Sequence, residues 1–117
     1  MNHGELVEAI RIGCADIACL FKNHTGVAVF PAKKKGGKKS TVRYGVGPNE
    51  GGGHDLLGWR ISDGKFVSID AKVGDDELSE LQKKWWRWVV KGNGLSGEAR
   101  SVEQARRIIL EQENQHY

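Results

Sequence analysis

Three charged residues stand in segments that are otherwise apolar or rich in glycine: Asp55 in GHDLLG, and Asp70 and Lys72 in IDAK. Aspartate is a poor strand former and is rarely buried without a partner. Two carboxylates held close together suit one hard divalent cation, and without a cation or a basic group one of them must take up a proton. The residue types therefore predict a cation site, provided that the fold brings the three side chains together.

The pair Asp63-Gly64 lies between two strand-like runs, and Asp-Gly in that setting is a strong hairpin signal. We predict strands at residues 56–62 and 65–72, joined by a two-residue turn. A two-residue turn pairs Ser62 with Lys65, and this pair fixes the register of all the others.

In that register Leu57 faces Asp70 and Asp55 faces Lys72, so all three charged groups project from one face. Asp55 and Asp70 become diagonal neighbours, with Cβ atoms roughly 6–8 Å apart. The alternative is a solvated charge cluster near a strand end. Both faces of the hairpin are largely apolar, however, so we expect helices on both faces and the charges in a cleft.

The remaining elements follow from apolar spacing and turn residues. We predict a helix at 5–22, a strand pair at 27–30 and 41–44, a helix at 75–91, a loop at 92–97, a short strand at 98–101 and a last helix capped by Ser101. The resulting α-β-β-β-β-α-β-α order predicts an α/β fold, with a small mixed β-sheet flanked by helices. Residues 1–117 are expected to form one domain with a frayed tail at 112–117.

A basic loop at residues 32–40 follows the second predicted element. Its lysines and one nearby arginine are Lys33, Lys34, Lys35, Lys38, Lys39 and Arg43. The net charge of the chain is only +3, so the clustering of positive charge in this loop is more informative than the net charge. Lysines next to glycines suit the phosphate backbone of a nucleic acid, and the alternative is a solvated hairpin tip.

The sequence argues against a membrane or secreted protein. It has no run of eighteen apolar residues, and the segment MNHGELVEAI has no basic region typical of a signal peptide. Cys14 and Cys19, the two cysteines, have neither metal-clip nor disulfide-framework spacing. We therefore expect a cytoplasmic protein, in the host cytoplasm if a phage encodes it, without a membrane partner.

Asp55, a strand and turn, and then Asp70-Ala71-Lys72 resemble the PD-(D/E)xK nuclease signature. Further matches are the glycine-rich lead-in to Asp55, Gly58, the helix opening Leu78-Ser79-x-x-Gln82, and the flanking blocks FKNHTG and RSVEQA. With these, residues 5 to 110 resemble the VRR-Nuc family (virus-type replication-repair nucleases), especially its small stand-alone phage-type members. Two positions depart from the family pattern: Asp70 stands where Glu is common, and His54 where a proline or small residue is usual.

The resemblance implies a restriction-endonuclease-like core and Mg²⁺- or Mn²⁺-dependent hydrolysis of DNA phosphodiesters. It makes Asp55, Asp70 and the carbonyl of Ala71 metal ligands. Lys72 would orient or activate the attacking water and stabilise the developing charge, and Gln82 would contact the site from its helix.

Two of the implied roles have alternatives in ordinary helix chemistry. The family places an acidic ligand on the first helix, for which we favour Glu5, with Glu8 and then His3 as alternatives. Both glutamates are also favourable charges in a helix's first turn. Gln82 equally forms a capping box with Ser79, and both roles are compatible.

We expect the substrate to be branched or structured DNA, because no base-reading module is apparent. By analogy with junction-resolving enzymes we also expect a homodimer that presents two sites to two strands. Two other functions remain open: a non-catalytic DNA-binding protein on the same fold, and a phage packaging or replication accessory with a decayed site.

Overall fold

A computed structural model describes residues 1–113, so residues 114–117 of the predicted frayed tail lie outside the described part. The chain is mixed α/β, with a four-stranded mixed sheet, a two-stranded sheet and three helices. The elements are α1 (His3–Gly13), β1 (Ala18–Lys22), β2 (Gly26–Phe30), β3 (Ser40–Tyr44), β4 (Leu56–Arg60), β5 (Phe66–Ala71), α2 (Glu80–Lys91), β6 (Leu95–Ala99) and α3 (Val102–Ile109). No helix within residues 1–113 is long and apolar enough to span a membrane.

The main sheet has the strand order β1-β4-β5-β6, antiparallel except for the parallel pair β5 and β6. One face packs against α1 and α3 and forms the core, whose centre includes Ile10, Leu56, Ile69, Leu95 and Ile109. Strand β5 is the most buried, because every residue from Val67 to Ala71 is inaccessible. Asp70 therefore sits inside the best-packed strand of the molecule.

The predicted helix at 5–22 is wrong in its second half. Helix α1 ends at Gly13 with Cys14 as its C-cap, and Ala18–Lys22 form the edge strand β1 against β4. Ala18 and Leu20 are buried whereas Phe21 is exposed, which is the alternation of a strand. Leu20 satisfied helical spacing as well, so a short apolar run of this kind fits both periods.

Two predictions around α2 also need correction. The helix begins only after its N-cap Ser79, so residues 75–79 are not helical. The predicted loop at 92–97 contains the start of β6, which the glycine-rich run GNGLSG hides. A side chain at Gly97 would meet Ile108 of α3 at 2.8 Å, so glycine is there to let helix and strand approach.

The hairpin exists, but its two-residue turn and its register are wrong. Residues 61–64 separate the paired residues Arg60 and Lys65, and Leu57 faces Ser68 rather than Asp70. Asp63 closes this longer loop: its carboxylate binds the Arg60 guanidinium, which lowers the pKa of Asp63 to about 2. The pairing shifts by two residues, so side chains keep their faces, since the period of a strand is two.

The prediction that helices cover both faces of the hairpin is only half right. Helix α2 lies against β5 and β6, but Phe21, Trp59 and Phe66 remain exposed on the same face. The rings of Phe21 and Trp59 contact each other in a tilted arrangement, with centroids 5.6 Å apart, beside an apolar cavity of about 490 Å³. We call Phe21, Leu57, Trp59 and Phe66 the apolar patch.

Gly58 provides a test of the β1–β4 pairing. A Cβ at this position would overlap the backbone carbonyl of Cys19 across the strand pair, so Gly58→Ala forces the two strands apart. We expect the substitution to lower the free energy of unfolding by more than about 2 kcal/mol, as measured by urea denaturation. Gly64→Ala is the matched control, because φ is +76° but the space is open, and we expect it to cost about 1 kcal/mol. Equal losses would contradict the close approach of β1 to β4 at Gly58.

Candidate metal centre

Asp55 and Asp70 meet at the end of the β4–β5 hairpin. The observed register, continued by one pair, places them directly opposite each other rather than diagonally, and Asp55 does not face Lys72 as predicted. The backbone N–H of Asp55 donates to Asp70 Oδ1 at 3.1 Å, and the N–H of Ala71 donates to Asp55 Oδ2 at 2.8 Å. Each carboxylate thus holds the other strand's backbone, and the two acids are fixed side by side.

Lys72 completes the predicted trio. Its Nζ lies 2.9 Å from Asp70 Oδ2, and its side chain is only 13% exposed. The three charged groups therefore share one side of the sheet, as the sequence predicted. A compact ammonium beside two carboxylates offsets part of their repulsion.

The environment of Asp70 disfavours its ionised form when no cation is bound. Burial, followed by the nearby charge of Asp55, raises the pKa of Asp70 to about 7, and Lys72 opposes this rise. A fully buried carboxylate kept beside a second one is costly to the fold. A buried carboxylate with a strongly shifted pKa and specific charged neighbours makes Asp70 a candidate functional residue.

The side chain of Gln82 serves both the helix cap and the carboxylates. Its Oε1 accepts from the N–H of Ser79 at 2.9 Å, and its backbone N–H donates to Ser79 Oγ, which together form the predicted capping box. Its Nε2 also donates to Asp70 Oδ1 at 3.3 Å. The cap and the contact with the acid are thus both present, the cap orients the amide toward the acid, and a role of Gln82 in the reaction stays a prediction.

The first helix presents a different residue to the carboxylates from the one favoured by the resemblance. Glu5 Oε1 accepts from the backbone N–H of Asn2 in a capping box, whereas His3 Nε2 lies 3.1 Å from Asp55 Oδ2. Glu8 is held by Lys22 and Arg11, which lower its pKa. Glu5 as a ligand stays a prediction, and it requires the side chain to leave the cap.

The donor set fits a hard divalent cation in part. Asp70 Oδ2 is buried and accepts no hydrogen bond of good geometry from the described residues, but Lys72 Nζ lies 2.9 Å from it, so a cation at this oxygen would share it with the ammonium. Carboxylate oxygens are what Mg²⁺ and Mn²⁺ prefer, and Mg²⁺ keeps several waters, so one or two carboxylates suffice. Within residues 1–113 no group of three or more His, Cys, Asp or Glu side chains is arranged to hold a metal ion. The ligand set that the resemblance implies, namely Asp55, Asp70 and the Ala71 carbonyl, stays a prediction.

Asn23 and His54 contact backbone groups close to the carboxylates, although their sequence positions did not assign them to the site. Asn23 donates to the carbonyls of Val46 and His54, and its backbone N–H donates to the carbonyl of Asp55. His54 is buried between β5 and α2, and this burial lowers its pKa to about 4. The block FKNHTG contains Asn23, but its turn-forming residues gave no sign of contact with residues thirty positions later.

The basic residues project away from the main sheet on the two-stranded sheet β2–β3, which we call the arm. All five lysines of the loop and Arg43 are exposed. A cavity of about 270 Å³ at the base of the arm is lined by Arg43 on one side and by Ser79 and Gln82 on the other. The base of the arm therefore lies across a cavity from Gln82, whose side chain contacts Asp70.

No protein-family model matches the chain, and no curated protein matches it.

Proposed function

We propose that the chain is a metal-dependent DNA nuclease of the VRR-Nuc type, with a restriction-endonuclease-like core. The observation that carries the proposal is the buried Asp70, held against Asp55 with Lys72 Nζ at 2.9 Å. Two acids that can hold a divalent cation, with an amine beside them at one end of the β4–β5 pair, suit phosphodiester hydrolysis. The adjacent basic arm supplies affinity for the substrate.

The residues divide the chemistry among them. Mg²⁺ or Mn²⁺ held by Asp55, Asp70 and the Ala71 carbonyl would polarise the phosphoryl oxygen and lower the pKa of bound water. Lys72, whose side chain is only 13% exposed, would place a positive charge where the transition state gains negative charge. Gln82 keeps Asp70 in place through its amide.

The test is a cleavage assay on flap, fork, junction, nicked and linear duplex DNA with Mg²⁺, Mn²⁺ or EDTA. We expect metal-dependent hydrolysis, with branched substrates preferred. Absence of cleavage on every substrate would contradict the proposal. Metal-independent binding without cleavage favours the non-catalytic DNA-binding protein, and absence of salt-sensitive binding favours the accessory protein.

We expect the arm to provide sequence-independent DNA affinity. Replacing the five loop lysines with glutamine should weaken DNA binding and reduce the slope of log K against log salt by about 0.9 for each phosphate that is no longer neutralised. The melting temperature should not change, because these lysines are exposed. Binding is measured by fluorescence anisotropy between about 50 and 200 mM salt, a range over which such charges change the affinity by roughly orders of magnitude.

Lys91→Gln with Arg107→Gln is the control for the arm variant, because these exposed cations lie at the ends of α2 and α3. We expect the control to have a wild-type salt slope. Equal slopes for the arm variant and the wild type would mean that the basic loop is a solvated hairpin tip that does not contact DNA.

Gln82 and Ser79 allow the site role to be separated from the cap. Ser79→Ala and Gln82→Met should each lower the free energy of unfolding by about 1 kcal/mol, because each removes part of the capping box. Only Gln82→Met should also lower the cleavage rate, by roughly tenfold, since it removes the hydrogen bond to Asp70. Equal cleavage rates for the two variants would leave Gln82 as a cap alone.

The homodimer stays a prediction. The apolar patch beside the edge strand β1 is the surface we favour for the contact between copies, since Phe21 and Trp59 are about half exposed there. Sedimentation equilibrium should then report twice the chain mass, and a monomer at micromolar concentration would contradict it.

A further inference from the structure

His54 occupies a buried position between β5 and α2, next in sequence to Asp55. Its exposed fraction is 1%, and both ring nitrogens have partners. Nε2 lies 3.1 Å from the backbone carbonyl oxygen of Gln82, and Nδ1 lies 3.0 Å from Ser68 Oγ. One imidazole therefore connects the segment that leads into the first acid with the helix that contacts the second acid.

Each ring nitrogen has a backbone carbonyl oxygen within reach: that of Gln82 lies 3.1 Å from Nε2, and that of Ser68 lies 3.4 Å from Nδ1. A carbonyl can only accept, and we assign the proton to Nε2 because the contact with Gln82 is the shorter of the two. Nδ1 then accepts from the hydroxyl of Ser68, or from that of Ser96 at 3.3 Å. Ser68 Oγ in turn accepts from Trp85 Nε1 at 2.8 Å. The bonds from Trp85 through Ser68 and His54 to the Gln82 carbonyl fasten α2 to β5 at two points of the helix.

These bonds reach the carboxylates through a single residue. The Gln82 backbone is held by His54, while the Gln82 side chain donates to Asp70 Oδ1 at 3.3 Å. Ser68 and Asp70 lie two residues apart on β5 and so on the same face. A displacement of the first turn of α2 would therefore move the Gln82 amide away from Asp70.

We propose that His54 is a positioning residue, whose Nε2–H bond to the Gln82 carbonyl sets where the Gln82 amide meets Asp70. The inference rests on the proposed function in one respect, namely that Asp70 serves the nuclease reaction. The hydrogen-bonded connection itself does not depend on that function.

A matched pair of variants tests the role. The amide of glutamine reaches the place of Nε2, so His54→Gln retains a donor for the Gln82 carbonyl. The amide of asparagine ends near the place of Nδ1, so His54→Asn retains a polar group toward Ser68 but loses that donor. We expect His54→Asn to lower kcat by about tenfold with an unchanged KM for DNA, and His54→Gln to restore most of the loss.

A double variant and hydrogen exchange distinguish positioning from a merely structural role. Adding Gln82→Met to His54→Asn should cause little further loss of kcat, because both act through one contact. Amide hydrogen exchange in the first turn of α2 should be faster in His54→Asn and unchanged in His54→Gln, in protein without DNA or metal.

Three results would overturn the inference: equal kcat for the asparagine variant and the wild type, multiplying losses in the double variant, or equal exchange in all three proteins. If the wild type cleaves no DNA, the proposed function fails, and the exchange measurement alone decides whether His54 holds α2.

Discussion

Asp70→Asn is expected to abolish cleavage, with a loss of at least about a thousandfold. The substitution preserves the size of the side chain and an oxygen that can accept from Asp55 N–H and Gln82 Nε2. It removes the negative charge and replaces Oδ2, the buried oxygen 2.9 Å from Lys72 Nζ, by an amide donor. Multiple-turnover rates with Mn²⁺ measure the loss.

Metal binding gives the same variant a readout that needs no substrate. A ligand that binds only the folded state raises the melting temperature by mass action, so Mn²⁺ should stabilise the wild type and leave Asp70→Asn unchanged. Asp75→Asn is the control, because Asp75 is an exposed carboxylate outside the pair. Cleavage by Asp70→Asn, or equal stabilisation of Asp70→Asn and the wild type by Mn²⁺, would contradict the assignment of Asp70.

The sequence predicted the face on which the charged groups lie better than it predicted the turn that places them. Asp-Gly indicated a reversal, but Arg60 and Asp63 form an ion pair that closes a four-residue loop instead. That pair depends on a side-chain contact, which turn propensity does not contain. Because the register error is two residues, Asp55 and Asp70 still meet, and they lie directly opposite each other.

Elements that depend on tertiary packing were the ones the sequence did not reveal. Strand β1 exists because β4 pairs with it along Gly58, and β6 because it pairs with β5 and packs its Gly97 under Ile108. Neither partner is near in sequence. Helix α3, by contrast, starts directly after the predicted cap Ser101, whereas α2 starts after its cap Ser79 and not at the predicted residue 75.

The same limit separates the site residues that were predicted from those that were missed. Three site residues could be predicted because charged side chains conflict with the apolar strands that carry them: Asp55, Asp70 and Lys72. His54 and Asn23 act through backbone carbonyls, and such contacts leave no pattern in a single sequence. The arm lysines were found from composition, but the position of the arm beside Gln82 required the fold.

Lys72→Ala is expected to separate metal binding from chemistry. Removing the ammonium 2.9 Å from Asp70 should destabilise the metal-free protein above about pH 7, where Asp70 is ionised, and by less at lower pH, where Asp70 takes up a proton. Mn²⁺ can restore the missing positive charge, so it should raise the melting temperature of Lys72→Ala by more than that of the wild type.

Cleavage by Lys72→Ala should nevertheless fall by roughly a hundredfold to a thousandfold at saturating metal, because a bound cation at the carboxylates does not replace positive charge at the position of Nζ. Lys65→Ala is the control, since Lys65 pairs with Glu111 at the other end of the hairpin, and it should cleave normally. Unchanged cleavage by Lys72→Ala would make the lysine a counterion alone, whereas loss of the Mn²⁺ stabilisation would make it necessary for holding the acids in place. The predicted combination, stronger stabilisation with weaker cleavage, assigns Lys72 to the reacting phosphate.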